Sequence, residues 1–135
     1  MKIRVVSSRD EIAGLNPSEK IIHLAFRPSS KDIFMIVEAC PRLEAIQVPK
    51  SYMNTIARSI EMFLDINNIR LLEGDVWGHR KDINEYYFVS DDVVQKIAQL
   101  KDEDMPYEKI IEKIRRESKL SKDMILFLLT KKHFF

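Results

Sequence analysis

At 135 residues the chain is long enough to bury about two-thirds of its unfolded surface around one core. Its 22 Lys and Arg against 21 Asp and Glu leave a net charge of +1, with 12 basic and 12 acidic residues up to Ser90 and 10 and 9 after it. That balance excludes the overall basic surplus of a strong nucleic-acid binder, though not a local patch, and a single cysteine, Cys40, excludes an internal disulfide or a cysteine-cluster metal site.

The N-terminus, Met1-Lys2-Ile3-Arg4-Val5-Val6, is too short and too charged for a signal peptide. No stretch approaches the roughly 20 apolar residues of a membrane span, so a cytoplasmic protein without a membrane partner is expected. Four runs then share one spacing: Ile3-x-x-Val6, Ile21-x-x-Leu24, Leu43-x-x-Ile46 and Ile69-x-x-Leu72. Each is apolar and β-branched enough for a strand, and each gap is long enough for a crossover. The expected fold is therefore α/β, with a short, mostly parallel sheet. Recurrence of the pattern allows stacked leucine-rich-repeat-like units; an ordinary βαβ sheet whose strands look alike is the other reading.

Helix signals fill the gaps. Ser8 with Glu11 forms a capping box for a short helix that Gly14 and Asn16-Pro17 end. Ser30 is placed to cap a second helix with the stripe Ile33, Ile36, Val37 and Cys40, which Pro41 stops. Ser51 is placed to cap a third, running through Met53, Ile56, Ile60, Phe63 and Leu64 to Asn67-Asn68. This spacing puts Leu24, Phe26, Ile46, Val48 and Leu72 on one sheet face, against Ile56, Ile60 and Phe63. The other face, with Val5, His23, Ala45, Gln47 and Leu71, needs a cover from the C-terminal helices or from a second chain in a homo-oligomer.

Beyond the central stretch from Leu71 to Tyr87, a short strand at Tyr86-Tyr87-Phe88-Val89 precedes helix signals alone. Ser90 opens a helix with Val93, Val94, Ile97 and Leu100. Pro106 begins one lined by Tyr107, Ile110, Ile111 and Ile114, and Ser121 caps Met124 to Leu129. The reading is one compact domain, with residues 1–90 as the sheet region and 91–135 as a three-helix segment packed on it.

The carboxyl ends of parallel strands are where α/β proteins generally bind ligands. Here those ends combine cations, hydroxyls and helix starts, which makes a candidate anion site: Arg27, Ser29, Ser30, Lys50, Ser51 and Asp75, with Trp77, His79 and Arg80 folding over from the central loop. No Walker loop, dinucleotide fingerprint, nucleophile elbow or zinc spacing is present, so no metal, cofactor or reaction is implied. The leading reading is a non-catalytic binding or regulatory module for a small anionic ligand or a protein partner. A small enzyme centred on His79, Arg80 and Asp75 is a further alternative. A DNA-binding regulator using a helix-turn-helix of the last two helices is another. Two features oppose it: the connection from Ile114 to Leu120 is long for that motif, and Met124 to Leu129 offer no polar side chains to bases.

Across Lys2-Ile3-Arg4-Val5-Val6-Ser7-Ser8, His23-Leu24-Ala25-Phe26-Arg27-Pro28-Ser29 and the whole stretch from Leu71 to Tyr87, the chain resembles a small archaeal family of unknown function, known mainly from methanogens. The resemblance implies an archaeal cytoplasmic protein and adds nothing on mechanism.

Overall fold

The computed structural model describes residues 1–76 and 85–131. Trp77, His79 and Arg80 lie outside the described residues. Among the described residues, five strands form one sheet: β1 (Lys2–Val6), β2 (Ile21–Leu24), β3 (Ala45–Val48), β4 (Arg70–Glu73) and β5 (Tyr86–Phe88). Their order is β4-β3-β2-β1-β5, parallel throughout except for β5, which runs antiparallel beside β1. Between the strands lie a 3-10 helix (Arg9–Gly14), α1 (Ser30–Ala39), α2 (Lys50–Met53) and α3 (Arg58–Ile66); α4 (Asp91–Asp102), α5 (Tyr107–Ser118) and α6 (Lys122–Thr130) follow β5.

Both faces of the sheet are covered, as buried parallel strands require. Val6, Ile22, Leu24, Ile46 and Val48 pack with Ile12 of the 3-10 helix, Ile33 and Ile36 of α1, and Ile60 and Leu64 of α3. On the other face Ile3, Ile21, Ala45 and Leu72 meet Ile97 of α4, Ile110 and Ile114 of α5, and Ile125, Phe127 and Leu128 of α6. The C-terminal helices are thus the cover that the mixed face of Val5, His23, Ala45 and Gln47 needed, and all four are buried. Strand β4 departs from expectation. Ile46 pairs with Leu71 and Gln47 with Leu72, so Leu71 joins the α1 and α3 side and Leu72 the α6 side. A one-residue offset in register moves every side chain of a strand to the opposite face.

Two caps sit one and two residues before their expected places. Ser29, not Ser30, caps α1: its hydroxyl accepts from Asp32 N at 3.2 Å and its own N–H donates to the Asp32 carboxylate at 2.8 Å. The reciprocal pair needs an acid three residues on, which only Ser29 has. Ser51 lies inside α2, with Pro49 at the N-cap. The long third helix is also broken in two. The Thr55 hydroxyl donates to the Tyr52 carbonyl at 2.7 Å, a local bond that competes with helix continuation, and α3 restarts at Arg58. Asn68 then takes φ 59, the left-handed turn that Asn tolerates better than most residues, and leads into β4.

Asp32 is buried and accepts the Arg9 Nε–H through both carboxylate oxygens, at 2.8 and 3.0 Å. Burial by itself would raise its pKa, but the bonds from Arg9 and Ser29 outweigh it and hold the group below its ordinary value of 3.8. A depressed carboxylate contributes stability that is present above the ordinary value and is lost as pH falls through the folded-state value. Asp32→Asn should therefore lower the urea midpoint at neutral pH, with the difference from the parent protein shrinking below about pH 4. A constant difference down to pH 2 would show that Asp32 is not held as an anion.

Strand β5 is tied to the sheet by charge. The buried Arg4 guanidinium lies 3.1 Å from Glu85 and 4.0 Å from Glu19, while the Tyr86 hydroxyl donates to Glu19 at 2.8 Å. Burial, followed by that bond to Glu19, pushes the Tyr86 phenol pKa up.

Candidate functional site

The carboxyl edge of β3 and β4 meets the turn between α5 and α6. Apolar residues at Ile110, Ile111 and Ile114 seat α5 on the core, leaving Lys109, Glu112, Lys113, Arg115 and Arg116 outside. After Ser118 the chain turns through Lys119, at φ 59, and the buried Leu120. The Ser121 hydroxyl then caps α6 by accepting from Met124 N at 3.1 Å. The connection is three residues long, because α5 runs four residues past Ile114. The sequence reading of a long loop from Ile114 to Leu120 is corrected accordingly. The other objection holds, since Met124, Ile125, Phe127, Leu128 and Leu129 are all buried.

A polar thread joins this turn to the sheet. Gln47 donates through Nε2 to the Ser121 hydroxyl at 3.3 Å, and its Oε1 faces His23 Nδ1 at 2.8 Å. His23 Nε2 lies 3.6 Å from Asp75 Oδ1, an ion pair only when the imidazole carries protons on both nitrogens. Beside the thread, Glu73 N donates to the Asp123 carboxylate at 2.8 Å. Gly74 passes so close that a Cβ there would lie 2.4 Å from Ser121 Oγ and 2.6 Å from Gln47 Nε2. Only glycine permits that approach.

Above the thread opens a groove of about 760 Å³. Lys50, Arg115, Lys119 and Lys122 bring four cations to its walls, and Glu73, Asp75 and Asp123 bring three carboxylates. A second hollow of about 530 Å³ lies between α5 and the start of α6. Arg115 and Lys122 line both, so they form a ridge between the two. Nearby acids are partly neutralised within the protein: Glu112 by Arg116 and Glu117 by Lys96, each at 2.6 Å.

Of the residues singled out from sequence, the structure brings Lys50 and Asp75 into this groove. Arg27 is exposed, with its guanidinium 5.5 Å above the Tyr52 ring. Ser29 caps α1, Ser30 and Ser51 are exposed in the first turns of α1 and α2, and none of these four is among the groove's lining residues. Trp77, His79 and Arg80 are outside the described residues. Sequence reasoning did not place Arg115, Lys119 and Lys122 at this edge. They come from α5, a left-handed turn and α6, so no single helical period joins them. Among the described residues, no group of His, Cys, Asp or Glu is arranged to hold a metal, and no helix is long and apolar enough to cross a membrane.

Comparison with known proteins agrees with this two-part construction. Residues 2–85 match a family of unknown function (DUF1699) N-terminal domain. Residues 92–130 match a protein of unknown function (DUF1699) C-terminal HTH domain. No curated protein and no solved structure matches the chain. The chain belongs to the DUF1699 family.

Proposed function

We propose that the protein is a non-catalytic regulatory module, folded as one compact domain, that binds nucleic acid through backbone phosphates along the ridge where α5 meets α6. The observation that carries this reading is the placement of Arg115 and Lys122 on one ridge, beside Lys119, at the turn of a helix-turn-helix unit. Cations at such a turn hold phosphate and set orientation without reading bases. Buried on most sides, α6 has few polar side chains for base edges. The exposed side of α5 carries Lys109 and Lys113 beside Glu108 and the Arg116–Glu112 pair, and it is the face that can approach the duplex.

The test is binding of a fluorescent mixed-sequence duplex, followed by anisotropy at several salt concentrations. With three to four phosphates neutralised, affinity should fall roughly 40- to 150-fold between 50 and 200 mM salt. The double variant Arg115→Glu, Lys122→Glu should lower the slope of log K against log salt by about 2. Binding that is absent at 50 mM salt, or a slope unchanged in the variant, would remove this reading.

A further inference from the structure

The groove beside the ridge has walls from both family units and a chemistry the ridge does not need. Lys50, Glu73 and Asp75 come from the ends of β3 and β4, and Arg115, Lys119 and Lys122 from α5, the turn and α6. Its volume of about 760 Å³ is in the range of small-molecule sites. Its place at the carboxyl edge of β3 and β4 is where parallel sheets receive ligands. Four cations against three carboxylates line one hollow, and phosphate is the group that several Lys and Arg can share. Of the acids, Asp123 accepts from Glu73 N, and Asp75 Oδ1 from Val76 N. Glu73 and the second oxygen of Asp75 can accept from hydroxyls. Leu120 and Pro49 add apolar surface to the lining.

We propose that this groove binds a nucleoside monophosphate, its phosphate held by Lys50 with Arg115, Lys119 and Lys122, and its sugar hydroxyls by Glu73 and Asp75. The site stands on its own geometry. Its regulatory consequence rests on the nucleic-acid reading above: Arg115, Lys119 and Lys122 serve both ligands, so a bound mononucleotide withdraws them from nucleic acid. The ligand contacts Gly74 and the Ser121 turn as well, so the sheet edge and the start of α6 are held together when it binds.

Lys50 separates the two activities. It is exposed and belongs to the groove but not to the ridge, so Lys50→Gln should fold normally, which its thermal melt checks. The experiment titrates the full chain, parent and Lys50→Gln, with AMP, GMP, adenosine and inorganic phosphate by calorimetry, and measures duplex binding separately. AMP or GMP should bind the parent at least tenfold more tightly than adenosine or inorganic phosphate does. Lys50→Gln should weaken that binding about tenfold or more while changing duplex affinity less than about twofold. Saturating mononucleotide should lower duplex affinity in the parent. The proposal is overturned if neither mononucleotide binds, if Lys50→Gln binds them as well as the parent, or if inorganic phosphate alone binds equally tightly. Duplex binding with no mononucleotide binding sinks this site and leaves the nucleic-acid reading intact. Mononucleotide binding without duplex binding does the reverse.

Discussion

Phe127→Asp is expected to unfold the protein at 25 °C. Phe127 is 3% exposed and sits among Ile3, Leu72, Ile97, Ile110 and Leu128, in the cluster by which α6 closes one face of the sheet. Losing a buried Phe side chain costs about 3–5 kcal/mol, and an ionised carboxylate in its place adds a desolvation cost of several more. Against a typical total of about 5–15 kcal/mol, that is most or all of the stability. Arg70 and Lys131 lie 5.7 and 5.6 Å from the ring and can soften the second cost by pairing with the new acid. Phe127→Ala is therefore the second variant, expected to stay folded with a markedly lower urea midpoint. Far-ultraviolet circular dichroism and urea melts decide it. If Phe127→Asp keeps the parent's midpoint, α6 does not close the core, and its apolar surface is available for another role.

The second large effect is at Gly74. Alanine there places a methyl 2.4 Å from Ser121 Oγ, 2.5 Å from Ser121 Cβ and 2.6 Å from Gln47 Nε2. These atoms cannot withdraw cheaply: Ser121 caps α6, and Gln47 is buried between His23 and Ser121. Overpacking of this kind costs about 1–3 kcal/mol, and loss of the Ser121 cap adds about 1. A Tm lower by roughly 5–12 °C is expected. Gly14→Ala is the internal control, because a Cβ at Gly14 meets nothing within 4 Å. That change should be neutral or slightly stabilising, by restricting the unfolded chain. Equal melting temperatures for the two variants would mean that the sheet edge and the α6 cap are not in contact.

The difference between these two glycines is invisible in the sequence, and it illustrates where legibility stopped. What the chain declared by itself was local. Ser8 with Glu11 and Ser121 ahead of Met124 were readable because a cap needs only residues two or three positions away. The second and third strands were readable because the apolar, β-branched runs Ile21 to Leu24 and Leu43 to Val48 are short and bounded by helix signals. The need for a second cover on the sheet could be inferred from Val5, His23 and Ala45.

Other features depended on partners far along the chain. Strand β4 has apolar residues at both Leu71 and Leu72, so either register satisfies its own pattern; pairing with Ile46 and Gln47 chose between them. Lys50 and Asp75 follow the carboxyl ends of β3 and β4. Their company of Arg115, Lys119 and Lys122 comes from α5, its turn and α6, 40 or more positions away in the chain, set against the sheet by burial of Leu120 and α6. Caps and short apolar runs are governed by near neighbours, whose energies a sequence displays directly. Register, and the convergence of charges from two units, are governed by which distant surfaces exclude water together, and only the folded chain decides that.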